Sequence, residues 1–140
     1  MTNLEKNIFT LDIPSNPANL IKVDKLCTKA INASGMNESD GDDFAIAVTE
    51  LVNNAIHHGN KNNKDKRVFI NIRILNNKLE ANIKDEGNGF NPNQIGNPLD
   101  PINIMIESGR GIFLIKQLTD SIDFNFTSNG TEIIVTKIIQ

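Results

Sequence analysis

A chain of 140 residues carrying 14 Lys and Arg, 17 Asp and Glu, a net charge of −3 and one cysteine has the size of one domain, able to bury roughly 70% of its unfolded surface without disulfides. Mixed charge argues against a nucleic-acid surface, which needs clustered Lys and Arg. The lone Cys27 excludes an internal disulfide framework and fits a reducing compartment. No stretch approaches the roughly twenty apolar residues of a membrane span, and Met1-Thr2-Asn3-Leu4-Glu5-Lys6 lacks the apolar segment of a secretion signal. The expectation is a soluble, cytoplasmic protein with a single domain over residues 1–140.

Asn7 to Ile13 mixes β-formers and stops at Pro14, which predicts an opening strand. Ser15 and Pro17 then open a helix over Asn16 to Ala33, where Leu20, Val23, Leu26, Cys27, Ala30 and Ile31 share one face and Gly35 ends it. Cys27 on that face reads as a core thiol. Ser39 is predicted to cap the next helix, with Asp42 and Asp43 in its first turn. Phe44, Ala47, Val48, Leu51 and Ala55 give that helix an apolar face, and Gly59 and Asn60 terminate it.

The basic segment Lys61 to Arg67 is Asn-rich and interrupted by an acid, a solvated loop between helix and strand. Val68, Ile70, Ile72 and Ile74 alternate with polar or aromatic positions in a half-buried strand, and Asn76-Asn77 turns it into a second strand ending at Asp85. Gly87 to Gly109 is too long for a structureless connection, so it forms a functional loop or holds a short helix around Pro101 to Ile106. A short helix over Ile112 to Leu118 follows. Strands at Ile122 to Phe126 and Glu132 to Ile139, joined by Ser128-Asn129-Gly130, close the chain.

Three places carry chemistry. Glu50 and Asn54 stand one turn apart on one helical face, with His57 and His58 continuing the stripe. That is either a solvated face or a carboxylate and amide arranged for a metal-bound nucleotide. Asp85 shares a strand face with Leu79, Ala81 and Ile83, so a carboxylate sits at a core rim and needs a donor. The donor is either the turn that follows or a bound base with an exocyclic amine, and Gly87 and Gly89 leave room for a flat ligand. Gly109-Arg110-Gly111 precedes an apolar helix, which makes it a plain hinge or a phosphate-binding helix start. One Cys and two adjacent His cannot form a four-ligand zinc site, and no nucleophile elbow or P-loop is present.

Glu50-x-x-x-Asn54-Ala55-x-x-His58-Gly59, Asp85-x-Gly87-x-Gly89-Phe90 and Gly109-Arg110-Gly111-Ile112, in this order, resemble the N, G1 and G2 boxes of GHKL-type ATPases. Over nearly its whole length the chain is similar to the stand-alone serine kinases of that superfamily that act as bacterial anti-sigma factors. The resemblance implies an α+β, two-layer α/β sandwich of the Bergerat type, with a mixed, mainly antiparallel sheet, helices on one face, and Phe9, Val68 and Ile83 in or near the sheet core. It implies ATP or ADP with Mg²⁺. Asn54 would ligate the metal, Asp85 would accept the adenine amine, and Gly87 and Gly89 would shape the adenine pocket. Gly109, Arg110 and Gly111 would contact phosphates, Thr131 would stand on the adenine side, and Glu50 would be the general base. The partners implied are a sigma factor and an anti-anti-sigma protein phosphorylated on serine, with a homodimer expected and no direct nucleic acid or membrane contact. Alternatives are a nucleotide-gated binding module without phosphotransfer and a detached phosphorelay ATPase domain.

Overall fold

A computed structural model describes residues 7–87 and 111–140. The expected strands form as β1 (Ile8–Pro14), β2 (Arg67–Leu75), β3 (Lys78–Asp85), β4 (Ser121–Thr127) and β5 (Gly130–Ile138). They make one sheet in the order β1-β2-β3-β5-β4, and every pairing among the described strands is antiparallel. The period-two pattern sets the register. Ile13, Val68, Ile70, Ile72, Leu79, Ala81, Ile83, Ile133 and Val135 are buried on one face, while Thr10, Asp12, Phe69, Asn71, Arg73 and Lys84 on the other are exposed.

Three helices cover the buried face: α1 (Leu20–Ser34), α2 (Glu38–Asn54) and α3 (Gly111–Leu118). α1 packs on β1 and β2, α2 on β3 and β5, and α3 on α2 and β4. The result is the expected α+β sandwich of two layers. Val23, Cys27 and Ala30 of α1 meet Phe44, Ala47, Val48, Leu51 and Val52 of α2 in one core with the sheet. Phe9 packs against that core, and Val68 and Ile83 lie within it. Burial, reinforced by Asp24, pushes the Cys27 thiol up to about 12, so it is an inert core group at neutral pH.

Two helix starts differ from expectation. Asn16 caps a 3₁₀ turn over Pro17–Asn19, its side chain accepting from the Ala18 N–H at 3.0 Å, and the regular helix begins only at Leu20. α2 is capped by Asn37, two residues before Ser39, with Oδ1 accepting from the Asp40 N–H at 2.8 Å and Glu38 and Asp40 in the first turn. Asn is as good a cap as Ser, so the two extra helical residues are gained at little cost. Lys137 of β5 donates to the Leu118 carbonyl at 2.8 Å and stands 3.9 Å from both Asp40 and Asp43. A cation thereby holds the C-terminal end of α3 beside the N-terminal end of α2. Among the described residues no helix is long and apolar enough to cross a membrane.

Candidate functional site

The end of α2 and the end of β3 meet at one rim of the sandwich. The apolar face of α2 is locked by Phe44, Ala47, Val48, Leu51 and Val52, each at 0% exposure, which fixes the half-buried Glu50 on that helix. Asn54, the last α2 residue, is itself only 4% exposed. A wider π turn over Ala55–Gly59 follows, closed by the Asn60 N–H on the Ala55 carbonyl at 2.8 Å. Such turns insert extra backbone into a helix and recur at functional sites. The turn also interrupts the i, i+4 row from Glu50 through Asn54, so the half-buried His57 and His58 do not simply extend that stripe. Asn62 then returns its N–H to the Ile56 carbonyl at 2.8 Å, with Lys61 and Asn62 left-handed, and the helix stops.

The π turn delivers Gly59 to Asp85. Asp85 ends β3, opposite Val68 of β2, and is 5% exposed. Its Oδ1 accepts from the Gly87 N–H at 2.9 Å and from the Thr131 N–H at 3.1 Å. The turn reading of the carboxylate is thus met through Oδ1, which answers the turn and the neighbouring strand, while Oδ2 lies against Gly59. A Cβ on Gly59 would stand 2.1 Å from Oδ2, and one on Gly87 would stand 2.1 Å from the Gly59 carbonyl oxygen. Two backbones and a carboxylate thus close on each other at distances only glycine permits.

Burial raises the Asp85 carboxyl above its ordinary 3.8, opposed by the N–H groups of Gly87 and Thr131 and by the charge of Lys66. With the folded value above the unfolded one, the folded state holds this proton more tightly. The group's contribution to stability is complete below about 3.8 and is lost as pH rises through the raised folded value. Above that range the ionised carboxylate bears the cost of its burial. Asp85→Asn, which keeps an acceptor for both N–H groups, is therefore expected to raise the urea midpoint at pH 7, with a smaller gain near pH 4. A gain of equal size at both pH values would contradict the burial argument.

Of the residues singled out from sequence, Glu50 and Asn54 stand on one helix, while Asp85, Gly87 and Thr131 are brought into hydrogen-bonded contact from β3 and β5. Gly111 begins α3. Gly89, Gly109 and Arg110, with most of the Gly87 to Gly109 loop and the short helix expected around Pro101 to Ile106, lie outside the described residues. Two further polar residues meet at this rim. Asn60, whose sequence position marks only a helix end, and Ser15, whose position marks only a helix start, are 2% and 1% exposed and hydrogen-bonded to each other at 2.8 Å. The sequence signal available was a polar pair flanking Gly59 and Pro14, with nothing local to join them across 45 positions.

The family model described as histidine kinase-like ATPase domain matches residues 13–137. The chain belongs to the histidine kinase-like ATPases. Within this family it is 26% identical to a protein of Listeria innocua named serine-protein kinase RsbW, over 94% of this chain and 87% of that one. A protein of the same name from Staphylococcus aureus is 26% identical, over 97% and 89%, and one from Oceanobacillus iheyensis is 27% identical, over 92% and 85%. Among solved structures, the RsbU and RsbW domains of a Mycobacterium tuberculosis protein align with a TM-score of 0.66 at 17% identity, over 94% of this chain and 32% of that chain. The mycobacterial sensor histidine kinase MprB aligns with a TM-score of 0.54 at 15% identity, over 94% and 97%. These two likenesses show the shared ATPase fold.

Proposed function

We propose that this chain is a single-domain, cytoplasmic, ATP-dependent protein-serine kinase that also binds a sigma factor, and that its phosphorylation substrate is a small anti-anti-sigma protein. The observation that carries the reading is the Asp85 cradle: a buried carboxylate with one oxygen on two backbone N–H groups and the other beside Gly59. An acceptor-only group so placed suits the exocyclic amine of adenine. The relatives named serine-protein kinase, matched along nearly all of the chain, support the choice of serine phosphotransfer.

Asp85 and Thr131 hold the base, and Gly59 and Gly87 keep its edge close to the backbone. The N–H groups at the start of α3, beginning at Gly111, suit phosphate oxygens, with Gly109 and Arg110 assigned to the same task. Asn54 offers its amide oxygen to Mg²⁺. One protein ligand completed by phosphates and water is the usual arrangement for this ion at nucleotide sites. When bound, Mg²⁺ neutralises charge on the transferring phosphoryl group. Glu50, one turn before Asn54, takes the proton of the partner's serine hydroxyl as that oxygen bonds to the γ-phosphorus and the bond to the β–γ bridging oxygen breaks, releasing ADP.

The test is transfer of γ-labelled phosphate from Mg-ATP in native cell extract. A labelled small protein whose phosphate is acid-stable and recovered as phosphoserine is the expected result. Acid-labile phosphohistidine would assign the chain to a phosphorelay. No label despite measurable ATP binding would make it a nucleotide-gated binding module.

A further inference from the structure

We propose that Asn60 is the positioning residue of the nucleotide site: its buried amide fixes the turn that carries Asp85 and thereby sets selectivity for a purine bearing a 6-amino group. The inference rests on the assignment of Asp85 to the adenine amine. Asn60 follows the π turn directly and is 2% exposed. Its Nδ2 donates to the Ser15 hydroxyl at 2.8 Å and to the Arg67 carbonyl at 2.9 Å, and its Oδ1 accepts from the Glu86 N–H at 2.8 Å. Both amide donors and one lone pair of the oxygen are in use.

The partners lie at the ends of separate strands. Ser15 follows β1, and its hydroxyl donates to the Lys66 carbonyl at 2.7 Å. Arg67 begins β2, and its N–H is taken by the Glu86 carboxylate at 2.6 Å. Glu86 follows β3, and its N–H belongs to the peptide unit that leaves Asp85. One residue therefore joins the exit of β1, the entry of β2 and the exit of β3 through its side chain and, through its backbone N–H on Ala55, the π turn that follows α2. Asp85 is held from one side by the Gly87 and Thr131 N–H groups on its carboxylate. The Asn60 bond to Glu86 holds it from the other, by orienting the peptide between Asp85 and Glu86. Without that bond the carboxylate keeps its charge and its place in the sequence but loses the fixed direction that an amine contact requires.

The experiment is equilibrium binding of Mg-ATP and of purine riboside triphosphate, which lacks the 6-amino group, to wild type, Asp85→Asn, Asn60→Ala and the double variant. Wild type is expected to prefer ATP, and Asp85→Asn to lose that preference. Asn60→Ala is expected to reduce the preference at least ~5-fold, with binding of the amine-free nucleotide nearly unchanged and no further loss in the double variant. Equal weakening of both nucleotides would mean that Asn60 serves stability alone, and would overturn the proposal. Retained preference in Asp85→Asn would instead refute the adenine assignment, and the role of Asn60 with it, whatever the Asn60 variant does. Should Asn60→Ala not fold, Asn60→Ser in stabilising osmolyte is read by the same ratio. An unchanged ratio in that variant overturns the proposal.

Discussion

Glu50→Ala is expected to slow phosphoryl transfer to the partner serine by about 10²- to 10⁴-fold, the usual contribution of a general base, while ATP affinity stays within about twofold of wild type. The separation follows from where Glu50 stands. Its helix is held by the buried Val48 and Leu51 on the opposite face, so removing a half-buried carboxylate leaves the packing of α2 intact. The Asp85 cradle takes its hydrogen bonds from Gly87 and Thr131, so base recognition does not depend on it. Single-turnover transfer at saturating Mg-ATP isolates the chemical step from binding. Glu50→Gln keeps shape and polarity but removes the basic oxygen, and is expected to be slowed as much as Glu50→Ala. Transfer at the wild-type rate by either variant would exclude Glu50 as the base.

Gly59→Ala is expected to damage both nucleotide binding and stability. The added Cβ would lie 2.1 Å from Asp85 Oδ2 and 2.4 Å from its Cγ, so the carboxylate must rotate or the π turn must retreat. Rotation breaks the bonds from Gly87 and Thr131, each worth about 1.5–3 kcal/mol when the acceptor is charged. Retreat shifts Asn60 and its three side-chain bonds. A loss of about 3 kcal/mol in urea unfolding is expected, together with ATP affinity lowered more than about tenfold, the equivalent of 1.4 kcal/mol. The Glu50 and Gly59 variants thus give opposite patterns, one of rate without affinity and the other of affinity with stability. Wild-type ATP affinity in Gly59→Ala would show that the close packing of Gly59 on Asp85 is not needed for the site.

The elements legible in the sequence were those whose signal is local and periodic. Alternation over Val68 to Ile74 and Leu79 to Asp85 named both strands and placed Asp85 on the buried face, because side chains on a pleated strand can only alternate. The faces of α1 and α2 followed from helical spacing in the same way, Glu50, Asn54 and Asp85 stood out through ordered short motifs, and Thr131 came only from the family resemblance. Cap choice was less legible, since Asn37 and Ser39 are near-equal in energy and only the packing of α2 decides between them.

Taken by itself, the amino-acid sequence determined the two-layer class, the faces that pack, the family, and which side chains are available for chemistry. The tertiary structure alone decided how those side chains meet: the π turn after Asn54, the closure of Gly59 and Gly87 on Asp85, the Thr131 N–H brought to a carboxylate 46 residues away, and the Asn60 amide shared among Ser15, Arg67 and Glu86. The physical reason is range. Periodicity and capping are energies between residues a few positions apart, whereas a buried amide finds its partners only after the strands that carry them have paired, and desolvation then makes those hydrogen bonds obligatory.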